Sequence, residues 1–242
     1  MNTTSPAPPS RPPRAIVLAA GRGERMRPLT DTTPKPLLPV FGRPLIEWHL
    51  LALARGGVRE VVINTAWLEE RFPAVLGDGS RFGLSIRYSH EGRDFGGALE
   101  TAGGIATVQD WLCADGREAF WVVSGDIWAP DFRFDADTAA RFVESGEDAR
   151  LWVVPNPLYH PRGDFDHAGT RVTYANLALM RPRLCAALPA GRRASLGPLL
   201  IDGVAAGRIG LADGVGRWEN VGTPAQLAAL QGSPSGQTTH DA

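Results

Sequence analysis

The sequence has few cysteines, no long apolar run and almost no net charge, and each shortage excludes a class of protein. Cys113 and Cys185 are too few for a disulfide framework, so we expect reduced thiols in a cytoplasmic protein. No apolar run approaches the roughly 18 residues that a membrane-spanning helix needs. The net charge of −1 provides no broad electrostatic surface for nucleic acid or for an anionic membrane. We therefore expect neither a nucleic-acid partner nor a membrane partner.

Lysine is even scarcer than cysteine: Lys35 is the single lysine among 25 basic residues. A lysine ammonium can sit on one phosphate oxygen as a point charge, where the broad guanidinium group of arginine does not fit. Pro34 and Pro36 flank it and restrict the backbone, which favours a stiff, extended segment. Lys35 is therefore a candidate phosphate ligand.

The organisation along the chain indicates one domain. Residues 1–13 are rich in proline, serine and threonine, which predicts a disordered leader rather than a signal peptide. Residues 232–242 are polar and without periodicity, which predicts a flexible tail. No repeat or low-complexity linker interrupts residues 14–231, which we take as a single domain.

Apolar patterns alternate between strand and helix through most of this domain. They predict strands at 14–18, 60–64, 84–89, 119–123, 151–154, 171–180, 207–211 and 218–221, and helices at 44–54, 68–76, 100–109, 195–206 and 224–230. We expect Pro73 to interrupt the second of these helices. Strands that alternate with helices predict an α/β fold with a mostly parallel sheet, which binds ligands at the carboxyl ends of its strands. The turn after Leu18, Asn64 and Asp126 lie at such ends.

A turn rich in glycine and arginine follows the first predicted strand, at 18–30. Its glycines allow backbone N–H groups to close around phosphate oxygens, and its arginines add charge for a polyphosphate. Met26 stands where a dinucleotide-binding fingerprint needs its third glycine, and a P-loop motif is absent. The turn therefore favours a nucleotide site that belongs to neither of these classes.

Two motifs in this order resemble the signature of the sugar-1-phosphate nucleotidylyltransferases. They are Leu-Ala-Ala-Gly-x-Gly-x-Arg-Met at 18–26 and Thr-Pro-Lys-Pro-Leu at 33–37. The resemblance extends from Ala15 to about Leu230. It implies a Rossmann-like three-layer α/β/α nucleotidyltransferase fold with a mostly parallel, mixed central sheet. Several further segments, among them 64–68, 77–89, 99–105 and 125–128, are similar to the branch that uses N-acetylmuramic acid 1-phosphate.

The resemblance assigns roles on the nucleotide side of the site. Arg25 would neutralise the leaving pyrophosphate, and Lys35 would contact the α-phosphate or the sugar phosphate. The residues that would bind the nucleotide are Leu18, Ala19, Ala20, Gly21, Gly23, Asn64, Gly103 and Gly104. Gly103 and Gly104 would let the backbone approach the nucleoside.

The resemblance also implies Mg²⁺ as the cofactor, held by Asp126 and Asn220. Asp126 would project its carboxylate at the ligand edge of the sheet, and Mg²⁺ prefers such oxygen ligands. Related sequences often have Asp where this chain has Asn220, whose amide oxygen can still bind the ion but adds no charge. Glu219 is the alternative, although its place on a strand would turn it to the other face.

The acceptor side is less sharply defined. Glu100 and Thr101 resemble the segment that contacts the sugar and the base in relatives. Asn156, Asp164 and Asn176 lie where relatives contact the sugar, and each of these three can equally be an ordinary turn residue. Many relatives have a second lysine for the sugar phosphate, and either Arg162 or His160 would replace it here. Trp67 and Trp128 would line the sugar pocket or pack in the core.

These assignments predict an enzyme that joins a nucleoside triphosphate and a sugar 1-phosphate and releases pyrophosphate. The resemblance favours UTP and N-acetylmuramic acid 1-phosphate, in cell-wall sugar recycling, by a monomer or small homo-oligomer. Mannose 1-phosphate with GTP, and glucose 1-phosphate with dTTP, remain alternatives. A non-catalytic module that binds a nucleotide or sugar is a further alternative, suggested by the uncharged Asn220.

Overall fold

A computed structural model describes residues 11–233. The predicted leader and tail lie almost entirely outside the described residues. Arg11 forms an ion pair with Asp115, and the carbonyl of Pro12 accepts a hydrogen bond from Arg117, so the first described residues contact the domain. Gly232 is the last residue of a helix.

Strands and helices alternate along most of the described chain. The strands are β1 (Arg14–Leu18), β2 (Pro39–Val40), β3 (Arg43–Pro44), β4 (Glu60–Thr65), β5 (Ser85–His90), β6 (Phe120–Ser124), β7 (Ile127–Trp128), β8 (Ala149–Pro155), β9 (Phe165–His167), β10 (Thr170–Met180), β11 (Ile209–Ala212) and β12 (Glu219–Asn220). The helices are α1 (Leu45–Arg55), α2 (Arg71–Leu76), α3 (Glu91–Phe95), α4 (Glu100–Leu112), α5 (Ala136–Ser145), α6 (Gly197–Ala205) and α7 (Pro224–Gly232). Within residues 11–233, no helix has the length and apolar content needed to cross a membrane.

Within residues 11–233, the central sheet has the strand order β11-β8-β10-β6-β1-β4-β5, and β9 pairs with β10 at the side. Strand β1 is parallel to β4 and β6, β4 is parallel to β5, and β11 is parallel to β8. Strand β10 runs antiparallel to β6, β8 and β9. The predicted mixed, mostly parallel sheet is confirmed.

Helices cover both faces of this sheet, because neighbouring residues of its central strands are buried on opposite sides. Ala15 and Val17 of β1 belong to one apolar cluster, which also contains Leu50 of α1 and Phe142 of α5. Ile16 belongs to a second cluster, which contains residues of α4 and α6. Burial on both faces is typical of parallel sheets and explains the continuous apolar runs of these strands. The three-layer α/β/α architecture is confirmed.

Two local expectations about proline are wrong. The segment at Lys35 is a single 3-10 turn, Lys35–Leu37, rather than an extended segment. The φ that proline imposes fits this turn equally well, and its hydrogen bonds come from Leu37 and Leu38, which have the N–H groups that proline lacks. Pro73 does not interrupt α2, because the helix begins at Arg71 and Pro73 lies in its first turn, where an N–H has no partner in the helix.

Candidate active site

The carboxyl ends of three adjacent parallel strands form the floor of a cleft. Leu18 at the end of β1 pairs with Asn64 of β4 and with Ser124 of β6. This first cleft has a volume of about 460 Å³. The structure brings to its walls Leu18, Ala19, Ala20, Gly21, Gly23, Arg25, Lys35, Asn64, Glu100, Thr101 and Asp126.

Gly23 shapes the turn that leaves β1. Its φ is 67°, a left-handed conformation that favours glycine, and a Cβ would lie 3.1 Å from Thr30 Cγ2 and 3.2 Å from Lys35 Cβ. Thr30 donates a hydrogen bond to the carbonyl of Gly23 over 2.8 Å. The turn is therefore held against the segment that contains Lys35, and Gly21 is exposed at its start.

Lys35 and Asp126 form an ion pair within the first cleft, in which Lys35 is buried and the side chain of Asp126 is 34% exposed. The Lys35 Nζ atom lies 2.8 Å from Asp126 Oδ2, and the side chain of Lys35 is 8% exposed. Ser124 donates a hydrogen bond to Asp126 Oδ1. Burial alone would raise the pKa of Asp126, but the charge and hydrogen bond of Lys35, together with Ser124, hold the pKa below its ordinary value. Asp126 is therefore a carboxylate at neutral pH, and its cation is the single lysine of the chain.

Asn220 lies beside Asp126 through a short antiparallel ladder. Residue 220 pairs with Ile127, and Val221 N donates to the carbonyl of Asp126 over 3.0 Å. The Asn220 Oδ1 atom is buried and has no hydrogen-bond partner among residues 11–233. A buried acceptor without a partner is costly, and a cation would satisfy it.

The oxygens of Asp126 and Asn220 fit Mg²⁺. One carboxylate and one amide oxygen are hard ligands, and Mg²⁺ usually takes one or two protein ligands and completes its shell with phosphate and water. No group of three or more acidic, histidine or cysteine side chains suited to a metal occurs among residues 11–233. Glu219, the alternative ligand, lies at a separate depression beside Trp128, whereas Asn220 does not.

A second cleft of about 630 Å³ adjoins the first. Arg25 and Gly222 lie on the walls of both clefts. A Cβ at Gly222 would lie 3.7 Å from Asn220 Oδ1 and 3.8 Å from a terminal nitrogen of Arg25, so the absence of a side chain there keeps the junction open. Of the predicted residues, Arg25, Asp164, Asn176 and Asn220 line the second cleft.

The antiparallel strand β10 supplies one wall of the second cleft. Its pairing with β8 shifts between Tyr174 and Ala178, and Asn176 adopts a left-handed φ of 60° within that irregularity. Such irregularities change the direction in which a strand presents its side chains, and a non-glycine residue in this conformation is typical of functional sites. Asp164 accepts hydrogen bonds from Tyr174 N (2.8 Å) and from His160 Nε2 (3.0 Å). The wall is therefore fixed before any ligand binds.

Sequence reasoning did not identify several residues of the second cleft, namely Tyr159, Thr173, Tyr174, Ile201 and Gln226. Burial raises the pKa of the Tyr174 hydroxyl far above its ordinary value, so it remains a hydrogen-bond donor. The apolar pattern of β10 indicates only a buried strand. The contact of Thr173 and Tyr174 with the second cleft depends on tertiary structure, so the sequence does not reveal it.

Three of the residues assigned to nucleotide or substrate binding, Gly103, Gly104 and Asn156, do not lie on the walls of either cleft. A Cβ at Gly103 would lie 2.3 Å from the carbonyl oxygen of Arg192, and a Cβ at Gly104 would lie 2.6 Å from Asn64 Nδ2. Asn156 accepts a hydrogen bond from Thr173 and donates one to the carbonyl of Pro161. These residues permit close packing or hold a loop behind the walls.

The residues expected to replace a second lysine, and the tryptophans expected to line the sugar pocket, lie in different parts of the structure. His160 lines the second cleft, and Arg162 does not. Trp67 lies under the guanidinium of Arg22, 4.4 Å from its ring centre, and donates a hydrogen bond to the carbonyl of Thr30. Trp128 packs in an aromatic cluster with Phe41 and Trp48 and lines neither cleft.

Phosphate chemistry is the class of function that this fold and site define. A glycine-rich turn, a buried lysine and a carboxylate–amide pair converge at the carboxyl edge of a parallel sheet, where nucleotides bind in α/β proteins. The family model of the nucleotidyl transferases matches residues 14–162. The chain belongs to the nucleotidyl transferase family.

Individual relatives agree with this assignment. The chain is 43% identical over 230 residues to the N-acetylmuramate alpha-1-phosphate uridylyltransferase of Neisseria meningitidis, which covers 90% of this chain and 96% of the relative. It is 37% identical over 147 residues to the mannose-1-phosphate guanylyltransferase of Mycobacterium tuberculosis, covering 58% of this chain and 40% of the relative. A crystal structure of a putative glucose-1-phosphate thymidylyltransferase from Bacillus anthracis has the same fold, with a TM-score of 0.75, 20% identity, and coverage of 90% of this chain and 93% of that one. The predicted membership among the sugar-1-phosphate nucleotidylyltransferases, and the predicted enzyme class, are confirmed.

Proposed function

We propose that this sugar-1-phosphate nucleotidylyltransferase transfers UMP from UTP to N-acetylmuramic acid 1-phosphate and releases pyrophosphate. The observation that carries the choice of substrates is the 43% identity to the uridylyltransferase of Neisseria meningitidis, because it extends over 90% of this chain and 96% of the relative. The relatives named for other sugars share less of their length with this chain. The product would serve cell-wall sugar recycling in the cytoplasm.

The first cleft is the proposed triphosphate site. The turn at 18–23 offers backbone N–H groups, and Arg25 and Lys35 supply positive charge on its walls. Phosphoryl transfer gathers negative charge on the phosphate oxygens, and fixed cations stabilise the transition state more than the ground state. Arg25 would neutralise the departing pyrophosphate, and Lys35 the oxygens of the α-phosphate.

Asp126 and Asn220 are the proposed ligands of Mg²⁺. When bound, the ion would neutralise charge on the phosphates and help to orient them. Asp126 Oδ2 is occupied by Lys35. The charge of Lys35 is then available to a phosphate once the carboxylate has another cation.

The second cleft is the proposed sugar 1-phosphate site, with Asp164 and Asn176 as sugar ligands and His160 beside them. A phosphate oxygen of the acceptor attacks the α-phosphorus in line, the new P–O bond forms, and the bond to the β-phosphate breaks with release of pyrophosphate. No general base is needed, since a phosphate monoester with a second pKa of about 6 is largely dianionic at neutral pH. Arg25 lies on both clefts, which supports placement of the reacting phosphates at their junction. Catalysis then consists of positioning and charge neutralisation.

The test is release of pyrophosphate from a panel of substrate pairs in the presence of Mg²⁺. We expect the highest kcat/KM with UTP and N-acetylmuramic acid 1-phosphate, loss of activity in EDTA, and recovery on addition of Mg²⁺. Higher kcat/KM with GTP and mannose 1-phosphate, or with dTTP and glucose 1-phosphate, would contradict the choice of substrates.

Asp126→Asn is the matched control, because it keeps the shape of the side chain and removes the charge that pairs with Lys35. It should retain binding of UTP while losing most turnover. Binding of UTP by the unaltered protein without release of pyrophosphate, for every pair and also with Mn²⁺, would favour the non-catalytic alternative instead.

A further inference from the structure

Glu91 is a buried carboxylate that the proposed reaction does not use. It is the first residue of α3, has 0% exposure, and forms no ion pair among residues 11–233. Burial raises the pKa of Glu91, and the nearby charge of Glu69 adds to this effect. A buried carboxylate without a cation is costly, so its neighbours must supply a specific reason for it.

Glu91 accepts one hydrogen bond with each oxygen. Oε1 accepts from Asn64 Nδ2 over 2.8 Å, and Oε2 accepts from the backbone N of Leu99 over 2.8 Å. The other end of the Asn64 amide, Oδ1, accepts from the backbone N of Ala19 over 2.8 Å. The result is a continuous chain of hydrogen bonds from Ala19 through Asn64 and Glu91 to Leu99.

The two ends of this series of hydrogen bonds lie at two different segments that line the first cleft. Ala19 belongs to the turn after β1, and Leu99 lies between Ala98 and Glu100, which are both wall residues. Glu91 itself is not on the wall. The hydrogen bonds therefore set the distance between the segment at Ala19 and the segment at Leu99, through a residue that does not itself line the cleft.

The packing around the pair is closed. A Cβ at Gly104 would lie 2.6 Å from Asn64 Nδ2 and 2.6 Å from Glu91 Oε1, so α4 is pressed against both side chains. Water cannot replace a lost partner without movement of α4. A substitution here that places a donor opposite a donor, or an acceptor opposite an acceptor, will therefore displace a wall of the cleft.

The direction of these hydrogen bonds, from donor to acceptor, explains why a charged residue is present at position 91. Both neighbours of Glu91 are N–H donors, so both of its outer atoms must be acceptors. Glutamine would avoid the buried charge, but its NH₂ group would face one of those donors. Only a carboxylate can accept hydrogen bonds from both Asn64 Nδ2 and Leu99 N in the arrangement observed.

We propose that Glu91 is a positioning residue for the nucleoside triphosphate, which acts through Asn64 and Leu99 to fix the width of the first cleft. The proposal rests on the proposed function only in that the first cleft binds the triphosphate. It does not depend on the identity of the sugar.

A pair of substitutions tests this polarity directly. Glu91→Gln places a donor opposite a donor, and Asn64→Asp places two carboxylates in contact. We expect each to raise the Kd of UTP, measured with Mg²⁺ and without acceptor, by about 10-fold or more, the effect of one lost buried hydrogen bond. The double variant has Asp at 64 accepting from Ala19 N and from the new Gln at 91, whose oxygen accepts from Leu99 N. It restores every hydrogen bond and the same net charge, so we expect its Kd to fall below that of either single variant by about 3-fold or more, while the carboxylate now at 64, on the cleft wall, keeps it above that of the unaltered protein.

Glu69→Gln is the matched control, because Glu69 also accepts two backbone hydrogen bonds from this segment, at Gly92 and Arg93, but does not connect to a cleft wall. It should lower Tm and leave the Kd of UTP unchanged. If Glu91→Gln lowers Tm in the same way without changing the Kd, Glu91 has only a structural role and the proposal is wrong.

If a single variant does not fold, the proposal is tested by the double variant alone. Recovery of both folding and UTP affinity in the double variant supports the proposal, and failure to recover either overturns it. Failure of the unaltered protein to bind any of UTP, GTP or dTTP would contradict the proposed function instead, and so the two failures are distinguishable.

Discussion

At the scale of single residues, the site depends on side chains that have no substitute elsewhere in the chain. Lys35 is 6% exposed and pairs with Asp126, and no second lysine is present to share its role. Gly23 packs against the base of its side chain, where an added Cβ would lie 3.2 Å from Lys35 Cβ. In the proposed reaction, this one position therefore supplies the lysine charge for the α-phosphate.

We expect Lys35→Arg to lower kcat about 10-fold or more, although the charge is kept. A guanidinium fork is broader than an ammonium and would displace the positive charge from the reacting phosphate. The measurement is the initial rate of pyrophosphate release at saturating UTP and sugar 1-phosphate. Arg93→Lys, in an exposed ion pair with Asp94, is a control that should have no effect. An unchanged kcat in Lys35→Arg would mean that positive charge alone is sufficient there.

Some of the residues that sequence reasoning placed at the site lie at the ends of strands. Asn64 and Asp126 follow apolar strands, and parallel strands bring their carboxyl ends to one edge, so the sequence is sufficient to predict their meeting. Glu91 and Tyr174 were not predicted, because Glu91 follows β5 without any motif that marks it, and Tyr174 lies inside the long strand β10. Their roles come from contacts with segments far away in the chain, which no local pattern encodes.

At the scale of elements, α4 shows how a correct element can be given a wrong detail. Its position after a glycine-rich loop was predicted, with Gly103 and Gly104 expected against the nucleoside. In the structure the N–H groups of Ala102 and Gly103 both donate to the carbonyl of Ala194. The glycines thus allow a neighbouring segment and the Asn64–Glu91 pair to approach the helix, while Glu100 and Thr101 face the cleft.

We expect Gly103→Ala to destabilise the protein by about 1–3 kcal/mol, the usual cost of overpacking a close contact. The added Cβ would lie 2.3 Å from a backbone carbonyl, which cannot move without shifting the segment that contains Ala194. Because α4 carries Glu100 and Thr101, the same variant should raise the KM of UTP. Urea unfolding and steady-state kinetics measure the two effects. Gly97→Ala, which meets no atom within 4 Å, is the control; equal stability of the two variants would contradict this explanation.

Other elements were missed although their local signals are present. Helix α5 begins after Asp135, whose side chain accepts a hydrogen bond from Thr138 N, and ends at Gly146 with a left-handed φ of 74°. These are ordinary start and stop signals for a helix. Helix α3 has five residues, and a segment of that length is too short to show a helical period.

At the scale of the whole molecule, the alternation of strands and helices predicted an α/β fold with a mostly parallel sheet and the family resemblance implied its three layers, but neither gave the order of the strands. Strand β10 lies between β6 and β8 and reverses direction, which makes the sheet mixed. That order depends on long-range pairing and leaves no trace in the pattern of any one strand. It matters for function, because the irregular part of β10 carries Asn176 into the second cleft.

The stability of the molecule should depend on pH through His49. Burial lowers the pKa of His49 to about 4, against opposing effects from the carbonyl of Ile127 and the charge of Asp126. The unfolded chain takes up this proton near its ordinary pKa of about 6.5, whereas the folded protein resists until about pH 4. Stability from the neutral imidazole is therefore complete above pH 6.5 and is lost as the pH falls towards 4, by about 3 kcal/mol in total.

The check on His49 compares urea unfolding of the protein and of His49→Gln between pH 4 and 7. Glutamine keeps a donor for the carbonyl of Ile127, which accepts from Nε2 of His49 over 2.7 Å, but it does not titrate. The difference in unfolding free energy between the two proteins should shrink as the pH falls. A constant difference across this range would show that His49 does not cause the pH dependence.

The burial of Lys35 has a practical consequence for chemical modification. The chain carries two kinds of primary amine, the α-amino group and the ammonium of Lys35. Acylating reagents need a deprotonated, accessible amine, and Lys35 is 6% exposed and in an ion pair with Asp126. Its rate of acylation is therefore a direct measure of how often this ion pair opens, and peptide mass spectrometry can follow it without competition from any other lysine.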